Sequence, residues 1–239
     1  MTLSTPVPRI EVAGIDSLIL RLFETIDEGN MPWLLAAARR LRERFGDALI
    51  DLVPSYTTLL LQYDLQRLDP AQAGALIDQA FDGLRPEPAS GGRCHRVPTW
   101  YDRSVGPELA LIARLSGLSE VQVIRSHSSR DYPVFALGFA PGFAFMGLVD
   151  EALATPRLAT PRRRTAAGSV GIADRQTAIY PTASPGGWNL IGRTPVKLFD
   201  RDAEGYSLLQ LGDRVRFEPI EQAEFIRLGG DDSPLETTS

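Results

Sequence analysis

The chain has 239 residues, enough for one large domain or two small ones at about 150 residues each. Lys and Arg number 25 against 30 Asp and Glu, a formal net charge of −5, and 44% of residues are hydrophobic. That composition excludes a mostly disordered chain, which lacks the apolar surface to fold. It also argues against a general nucleic-acid binder, which carries a basic surface.

Residues 1–84 read as a small α+β domain of order β-β-α-β-β-α. Residues 9–12 and 18–23 are short strand candidates. Asn30 reads as an N-cap with Pro32 in the first turn, where its missing N–H costs nothing. Leu34, Leu35, Ala38, Leu41 and Phe45 follow at helical spacing, and Gly46 can end that helix. Residues 48–53 and 57–63 read as strands joined at Pro54-Ser55. A second helix starts near Asp69-Pro70 and carries Ala73, Leu76, Ile77, Ala80 and Phe81. Residues 85–94 hold two prolines and two glycines and have linker composition.

Residues 95–228 read as a second, mainly β domain. A strand is expected near 96–100, then helices over 107–115 and 119–127, with Gly117 as a stop and Ser119 as an N-cap. The uncharged stretch 132–149 has the length of a membrane span, but it contains Pro133, Gly138, Pro141, Gly142 and Gly147. Two short buried strands around a Pro-Gly turn explain it better. Short apolar runs follow at 166–172, 177–180, 189–191, 206–211 and 214–217, the pattern of a barrel or sandwich. Residues 221–228 read as a last short helix, and the polar tail 229–239 is expected to fray.

Common enzyme signatures are absent. Lys197 is the single lysine and has no P-loop around it. There is no dinucleotide fingerprint, no G-x-S-x-G elbow and no H-E-x-x-H motif. Cys94 is the single cysteine, so no intrachain disulfide forms, and with only His95 and His127 beside it no cysteine-rich metal site is expected. The first residues lack a basic stretch followed by an apolar one, so no signal peptide, no membrane association and a cytoplasmic location are expected.

Four Gly/Pro-rich segments carry the candidate chemistry. In Gly138-Phe139-Ala140-Pro141-Gly142-Phe143, Pro141 and Gly142 suit a type II turn. The segment is either a turn flanked by core aromatics or a backbone loop that approaches a ligand closely. Pro156-Arg157 and Pro161-Arg162 present guanidinium groups suited to carboxylate or phosphate, whereas Arg163 and Arg164 read as solvated. Gly168 and Ser169 can offer an N–H and a hydroxyl to an anion, and Gln176 can both donate to and accept from an amide. A bulged strand and hairpin explain those residues equally well. Gly186-Gly187-Trp188 is costly in a plain strand, and Trp188 near Arg193 can form a pocket wall. A lone histidine is more often structural than catalytic, but the place of His127 at a helix end leaves a general-base or phosphate role open.

These segments, in this order, resemble the allophanate hydrolase subunit 1 family, also called the carboxyltransferase C/D-subdomain family. The resemblance rests on His127, Gly138–Phe143, Pro156-Arg157, Pro161-Arg162, 167–173, Gln176-Thr177, Tyr180-Pro181, Ser184–Trp188 and 191–195. Leu198-Phe199-Asp200 and 212–217 extend it, and Val53-Pro54-Ser55-Tyr56 and Tyr63-Asp64 match more loosely. The family often has Val-Pro-Ala-Gly-Ser where Thr165-Ala166-Ala167-Gly168-Ser169 stands here, and glycine where Asp174 stands.

The resemblance implies a small α+β domain followed by a cyclophilin-like β-barrel. The family includes the B subunit of bacterial 5-oxoprolinase, so it also implies a heteromer with subunit 2 (the C subunit) and a ring-opening A subunit. That enzyme converts 5-oxo-L-proline to L-glutamate with ATP, and Mg is expected beside the nucleotide. The implied scheme phosphorylates the lactam before opening it. His127, Gln176 and Arg193 become the catalytic candidates, with Gln176 reading the lactam. Arg157, Arg162 or Arg193 are anion donors. Phe139, Pro141, Gly142, Phe143, Gly168, Ser169, Tyr180, Gly186, Gly187 and Trp188 become candidates for binding substrate or phosphate. The alternatives are an allophanate- or urea-type carboxyltransferase subunit and a non-enzymatic histidine-kinase inhibitor. The chain has no Met-Lys-Met biotin attachment site, so any biotin comes from a partner.

Overall fold

The structure, a computed structural model, describes residues 6–87 and 92–235. Residues 88–91 of the expected linker and 236–239 of the expected tail lie outside the described residues. The chain divides into two compact units between Gly91 and Gly92.

The first unit is α+β. Strands β1 (Arg9–Val12), β2 (Ser17–Arg21), β3 (Leu49–Ser55) and β4 (Thr58–Tyr63) form an antiparallel sheet of order β1-β2-β4-β3. On β4 the alternation is clean: Leu59, Leu61 and Tyr63 are buried, and Leu60 between them is exposed. Helix α1 (Met31–Phe45) packs on β3 and β4, and α2 (Pro70–Phe81) packs beside α1. Asp69 caps α2 in a reciprocal box: it accepts from Gln72 N at 2.8 Å, and Gln72 Oε1 accepts from Asp69 N at 2.9 Å.

Two local expectations fail here. Asn30 stands at the N-cap of α1, but its side chain makes no cap bond and donates to Thr25 O instead. The hairpin turns at Tyr56-Thr57, with Tyr56 at φ 50, and Pro54-Ser55 stay within β3. β3 is an edge strand, where a missing proline N–H leaves no ladder bond unmade.

The second unit is mainly β. Its strands are β5 (Cys94–Thr99), β6 (Tyr132–Leu137), β7 (Ala144–Met146), β8 (Arg162–Thr165), β9 (Ser169–Ala173), β10 (Gln176–Ile179), β11 (Ser184–Gly186), β12 (Asn189–Arg193) and β13 (Arg214–Pro219). Seven of them form one sheet of order β12-β9-β10-β7-β6-β13-β5, in which β13 and β5 run parallel. Its outer strands meet: Trp100 N donates to Arg193 O and Arg193 N to Trp100 O, both at 2.8 Å. That pair closes the sheet into a barrel filled by Val97, Val134, Met146, Ile172, Ile191 and Phe217. β8 and β11 form a separate ribbon.

Helices α3 (Leu109–Ser116) and α4 (Glu120–Ser128) lie between β5 and β6, and α5 (Gln222–Arg227) follows β13. Gly117 ends α3 in the left-handed region, and Ser119 and Gln122 form the capping box of α4. No described helix is long and apolar enough to cross a membrane.

Residues 206–211 form no strand; Ser207 makes only an isolated bridge to Phe199. Residues 229–235, read as part of a fraying tail, make backbone hydrogen bonds to the rest of the unit. Gly230 N donates to Phe225 O at 2.9 Å, and Leu235 N donates to Ser104 O at 3.2 Å. Leu235 also packs on an aromatic cluster, so apolar burial holds a segment whose composition is polar.

The seam leaves no room for a side chain at Gly192, where a Cβ would lie 2.7 Å from Trp100 O. Gly192→Ala is expected to cost about 1–3 kcal/mol through overpacking. Gly74→Ala in α2, with no atom within 4 Å of the new methyl, is expected to add about 0.4–1 kcal/mol by restricting the unfolded chain. Urea midpoints against the parent test the contrast, and an unshifted Gly192→Ala midpoint would show that the seam yields.

Candidate functional site

Successive residues of a strand point to opposite faces. Val170, Ile172 and Ile179 point into the barrel, so Ser169, Gly171 and Ala173 of β9 point outward. So do Gln176 and Ala178 of β10, with Tyr180 just beyond the strand. β12 starts in step, with Leu190 outward and Ile191 inward, but its register on β9 shifts between Leu190 and Gly192. This bulge turns Arg193 outward, opposite Ser169. Tyr180 N donates to Ser169 O at 2.9 Å. Arg193, Ser169 and Tyr180 thus form one row on the outer wall. Leu190, Gly171 and Ala178 form the next, and Ala173 with Gln176 the third. Four residues separate the first row from the third, about 13 Å of strand.

Aromatic side chains cover the middle of this wall. The Phe143 ring lies edge-on to Phe145 at 4.8 Å, to Tyr180 at 5.5 Å and to Trp188 at 6.0 Å. Phe143 is delivered by the type II turn: its N–H donates to Ala140 O at 2.9 Å, across Pro141 and Gly142, with Gly142 at φ 81. Phe139 sits at φ 72 with its ring exposed to solvent. Phe143 thus fits the turn flanked by core aromatics, and Phe139 is open to solvent. Gly186 abuts the Tyr180 ring, and Gly187 faces Arg157 and Pro161.

The arginines separate by their partners. Arg162 is not free for an external anion. It is largely buried and ion-paired with Glu108, and its Nη1 donates to Trp188 O at 3.2 Å. Glu108 Oε2 also accepts from Leu190 N at 2.9 Å, so the pair ties β8 and β12 to the start of α3. Arg157 is exposed and makes no ion pair among the described residues. Arg193 is 2% exposed, and its Nη1 donates to Asp231 O at 2.5 Å and Ser233 O at 2.9 Å. Its Nε and Nη2, and Ser169 Oγ, are buried with no partner among the described residues. Burial pushes the Arg193 pKa down, against the pull of Asp231 and Asp232, yet an arginine stays cationic in proteins. Gly168, at φ 78, is needed beside it: a Cβ there would lie 2.2 Å from Thr194 O.

A cavity of about 240 Å³ opens here, lined by Arg164, Ala166, Arg193, Asp231, Ser233, Pro234 and Leu235. Arg164 is exposed, as expected, and also lines this cavity. The volume suits one acid or phosphoryl group and falls below the roughly 300–1,000 Å³ of ordinary ligand pockets. Among the described residues no group of three or more His, Cys, Asp or Glu side chains can hold a metal ion.

His127 lies on the other side of the barrel wall. It is fully buried against Phe217, with ring centroids 4.5 Å apart. Nε2 is 2.9 Å from Thr177 Oγ1, which donates to Gly171 O at 3.1 Å. Nδ1 is 2.8 Å from Tyr101 Oη. The hydroxyl of Thr177 is committed to a carbonyl, so the network assigns the proton to Nε2, and Nδ1 accepts from Tyr101. Burial pushes the His127 pKa from 6.5 down to about 3. Both nitrogens are engaged inside the core, which removes His127 from substrate and corrects its candidacy as a base. Arg193 and Gln176 share the outer wall; His127 does not join them.

The comparisons agree with this architecture. Residues 8–209 match the family model for the carboxyltransferase domain, subdomains C and D. The chain belongs to this family. A member from Bacillus subtilis (strain 168), the B subunit of 5-oxoprolinase, is 33% identical over 227 residues, covering 91% of this chain and 95% of the relative. A crystal structure of TTHA0988 is 40% identical with a TM-score of 0.75; the match covers 86% of this chain but only 40% of that one. The K. lactis urea amidolyase aligns with a TM-score of 0.74 over 93% of this chain and 15% of its own, and at 16% identity that likeness shows the fold alone.

Membership makes one departure legible. Asp174, where the family often has glycine, sits at φ 50 in the β9–β10 turn, a region that suits glycine and that aspartate tolerates. Reasoning from sequence missed Glu108 and residues 229–235. The partner of Glu108 lies 54 residues away, and no local pattern marks either.

The burial of His127 has a pH consequence. Between about pH 6.5 and 3 the unfolded chain takes a proton on His127 that the native state refuses, so acid favours unfolding. This group is expected to remove about 1.4 kcal/mol of stability per pH unit below 6.5. Urea titrations from pH 7 to 5 should show that slope in the parent and its loss in His127→Gln; equal slopes would contradict a buried neutral ring.

Proposed function

We propose that this chain is the B-type subunit of a cytoplasmic, ATP-dependent 5-oxoprolinase, converting 5-oxo-L-proline to L-glutamate with a C-type subunit and a ring-opening A-type subunit. The near full-length match to a 5-oxoprolinase B subunit carries this reading. The outer wall supports it chemically. 5-Oxoproline is a small acid with a cyclic amide, and the wall holds a buried guanidinium, Arg193, and an amide side chain, Gln176. Arg193 takes the carboxylate, and Phe139 and Arg157 face solvent at the rim; Gln176, two rows from Arg193, is a separate amide-reading position on the same wall. ATP and Mg are assigned to the assembled complex. A second reading, carboxyl transfer to a urea-type substrate with biotin from a partner, is favoured by the description of the matched family.

ATP-dependent glutamate formation tests the first reading, with this chain alone and co-expressed with the other subunits. Activity is expected only in the mixture. Gln176→Ala and Arg193→Ala are each expected to abolish turnover while the complex stays assembled; full activity in both would end these assignments. Arg162→Ala is expected to act differently. It leaves Glu108 buried and unpaired, costing about 3–5 kcal/mol of stability, measurable in urea. No activity in any intact mixture would place urea-type substrates first.

A further inference from the structure

We propose that Arg193 is the anchor of a seat for an oxyanion that offers two oxygens to one guanidinium edge, and that residues 229–235 are a displaceable strap across it. Nη1 is occupied by two strap carbonyls, while Nε and Nη2 are buried with no partner among the described residues. Those two nitrogens share one edge of the planar group. That edge matches the paired oxygens of a carboxylate or phosphate.

The contrast with Arg162 is informative. Both arginines are largely removed from solvent, Arg162 on the β8 ribbon and Arg193 on the barrel wall, yet Arg162 has Glu108 and no carboxylate comes within 4 Å of Arg193 among the described residues. Asp231 lines the same cavity and, with Asp232, acts on Arg193 through space without pairing with it; Asp231 Oδ1 accepts from Ser233 N at 3.0 Å. Carbonyls solvate a cation without neutralising it. A buried cation left so is costly, and a small anion from outside supplies what the fold omits. The adjoining cavity of about 240 Å³ brings a second cation, Arg164, and admits a group of that size.

The strap is tied at its start by Gly229 N to Ile226 O and Gly230 N to Phe225 O, both at 2.9 Å, and by Gln222 Nε2 to Asp232 Oδ2 at 2.9 Å; over the seat itself it is held by the two Arg193 bonds, the Leu235 N bond to Ser104 O at 3.2 Å and the packing of Leu235 on the aromatic cluster. Displacing it uncovers the Nε–Nη2 edge. The inference builds on the proposed function, since it seats the acid group of 5-oxoproline, but it is read by binding and not by turnover.

The test is calorimetric titration of the full chain with 5-oxo-L-proline and, separately, with inorganic phosphate. Binding of the first assigns the seat to the acid, and binding of phosphate alone assigns it to a phosphoryl group; either supports the seat. Arg193→Lys keeps the charge and loses the fork, and is expected to weaken binding at least about tenfold. Arg164→Gln, an exposed position that folding does not need, is expected to weaken it about threefold to tenfold. Leu235→Asp unseats the strap and is expected to tighten binding several-fold. Hydrogen exchange of the 229–235 amides should quicken on saturation. Binding of neither anion to parent and Leu235→Asp, or unchanged binding in Arg193→Lys, would overturn the proposal. Binding that persists while the assembled complex shows no turnover would overturn the proposed reaction and leave the seat standing.

Discussion

Two backbone hydrogen bonds between Trp100 and Arg193 hold the barrel shut, and the rest of the second unit depends on them. Without them β5 and β12 would be free edges with unpaired N–H and C=O groups. Closure gives the wall an inside and an outside. It also brings Gly192 against Trp100 so tightly that any side chain would part the strands. The register shift in β12 then turns the next residue outward, so the residue whose backbone seals the barrel also carries a guanidinium onto its outer wall.

The two sides of that wall differ in chemistry for a physical reason. Inside, every polar group must find a partner within the protein, and His127 does so between Thr177 and Tyr101 at the cost of its charge. Outside, small residues of β9 and β10 lie beneath Phe143, Tyr180, Trp188 and Leu190. Around that apolar cover sit Arg157, Arg193 and Gln176, beyond the reach of the interior histidine. Arg162 shows the structural use of a buried arginine, paired to Glu108 and tying three elements together. Arg193 shows a different state, a buried cation solvated by carbonyls alone on one nitrogen.

Features set by short stretches of chain were readable. The capping boxes of Asp69 and Ser119, the glycine stops at Gly46 and Gly117 and the type II turn at Pro141-Gly142 depend on residues a few positions apart. Alternation and helical spacing gave the α+β unit and the mainly β barrel that follows it. Misread features depend on distant partners. Pro54 sits in a strand because β3 is an edge, which is a property of the whole sheet. The contacts of the polar 229–235 segment were likewise invisible in its composition: one leucine packs on an aromatic cluster and one arginine donates to its carbonyls.

The sequence by itself determined the family and the fold class, because ordered motifs and local periodicities survive without any knowledge of contacts. It marked Arg157, Arg162 and Arg193 all as possible anion donors and could not tell which guanidinium would be paired, since an isolated guanidinium looks the same everywhere. Only the tertiary structure distinguished them. Burial and pairing come from residues far along the chain, and those contacts gave Arg162 a carboxylate, left Arg157 in water and enclosed Arg193 with one edge unmatched. The same contacts placed His127 and Gln176 on opposite faces of one wall. A single bulge decided which face Arg193 would share, because in a strand a shift of one residue exchanges inside for outside.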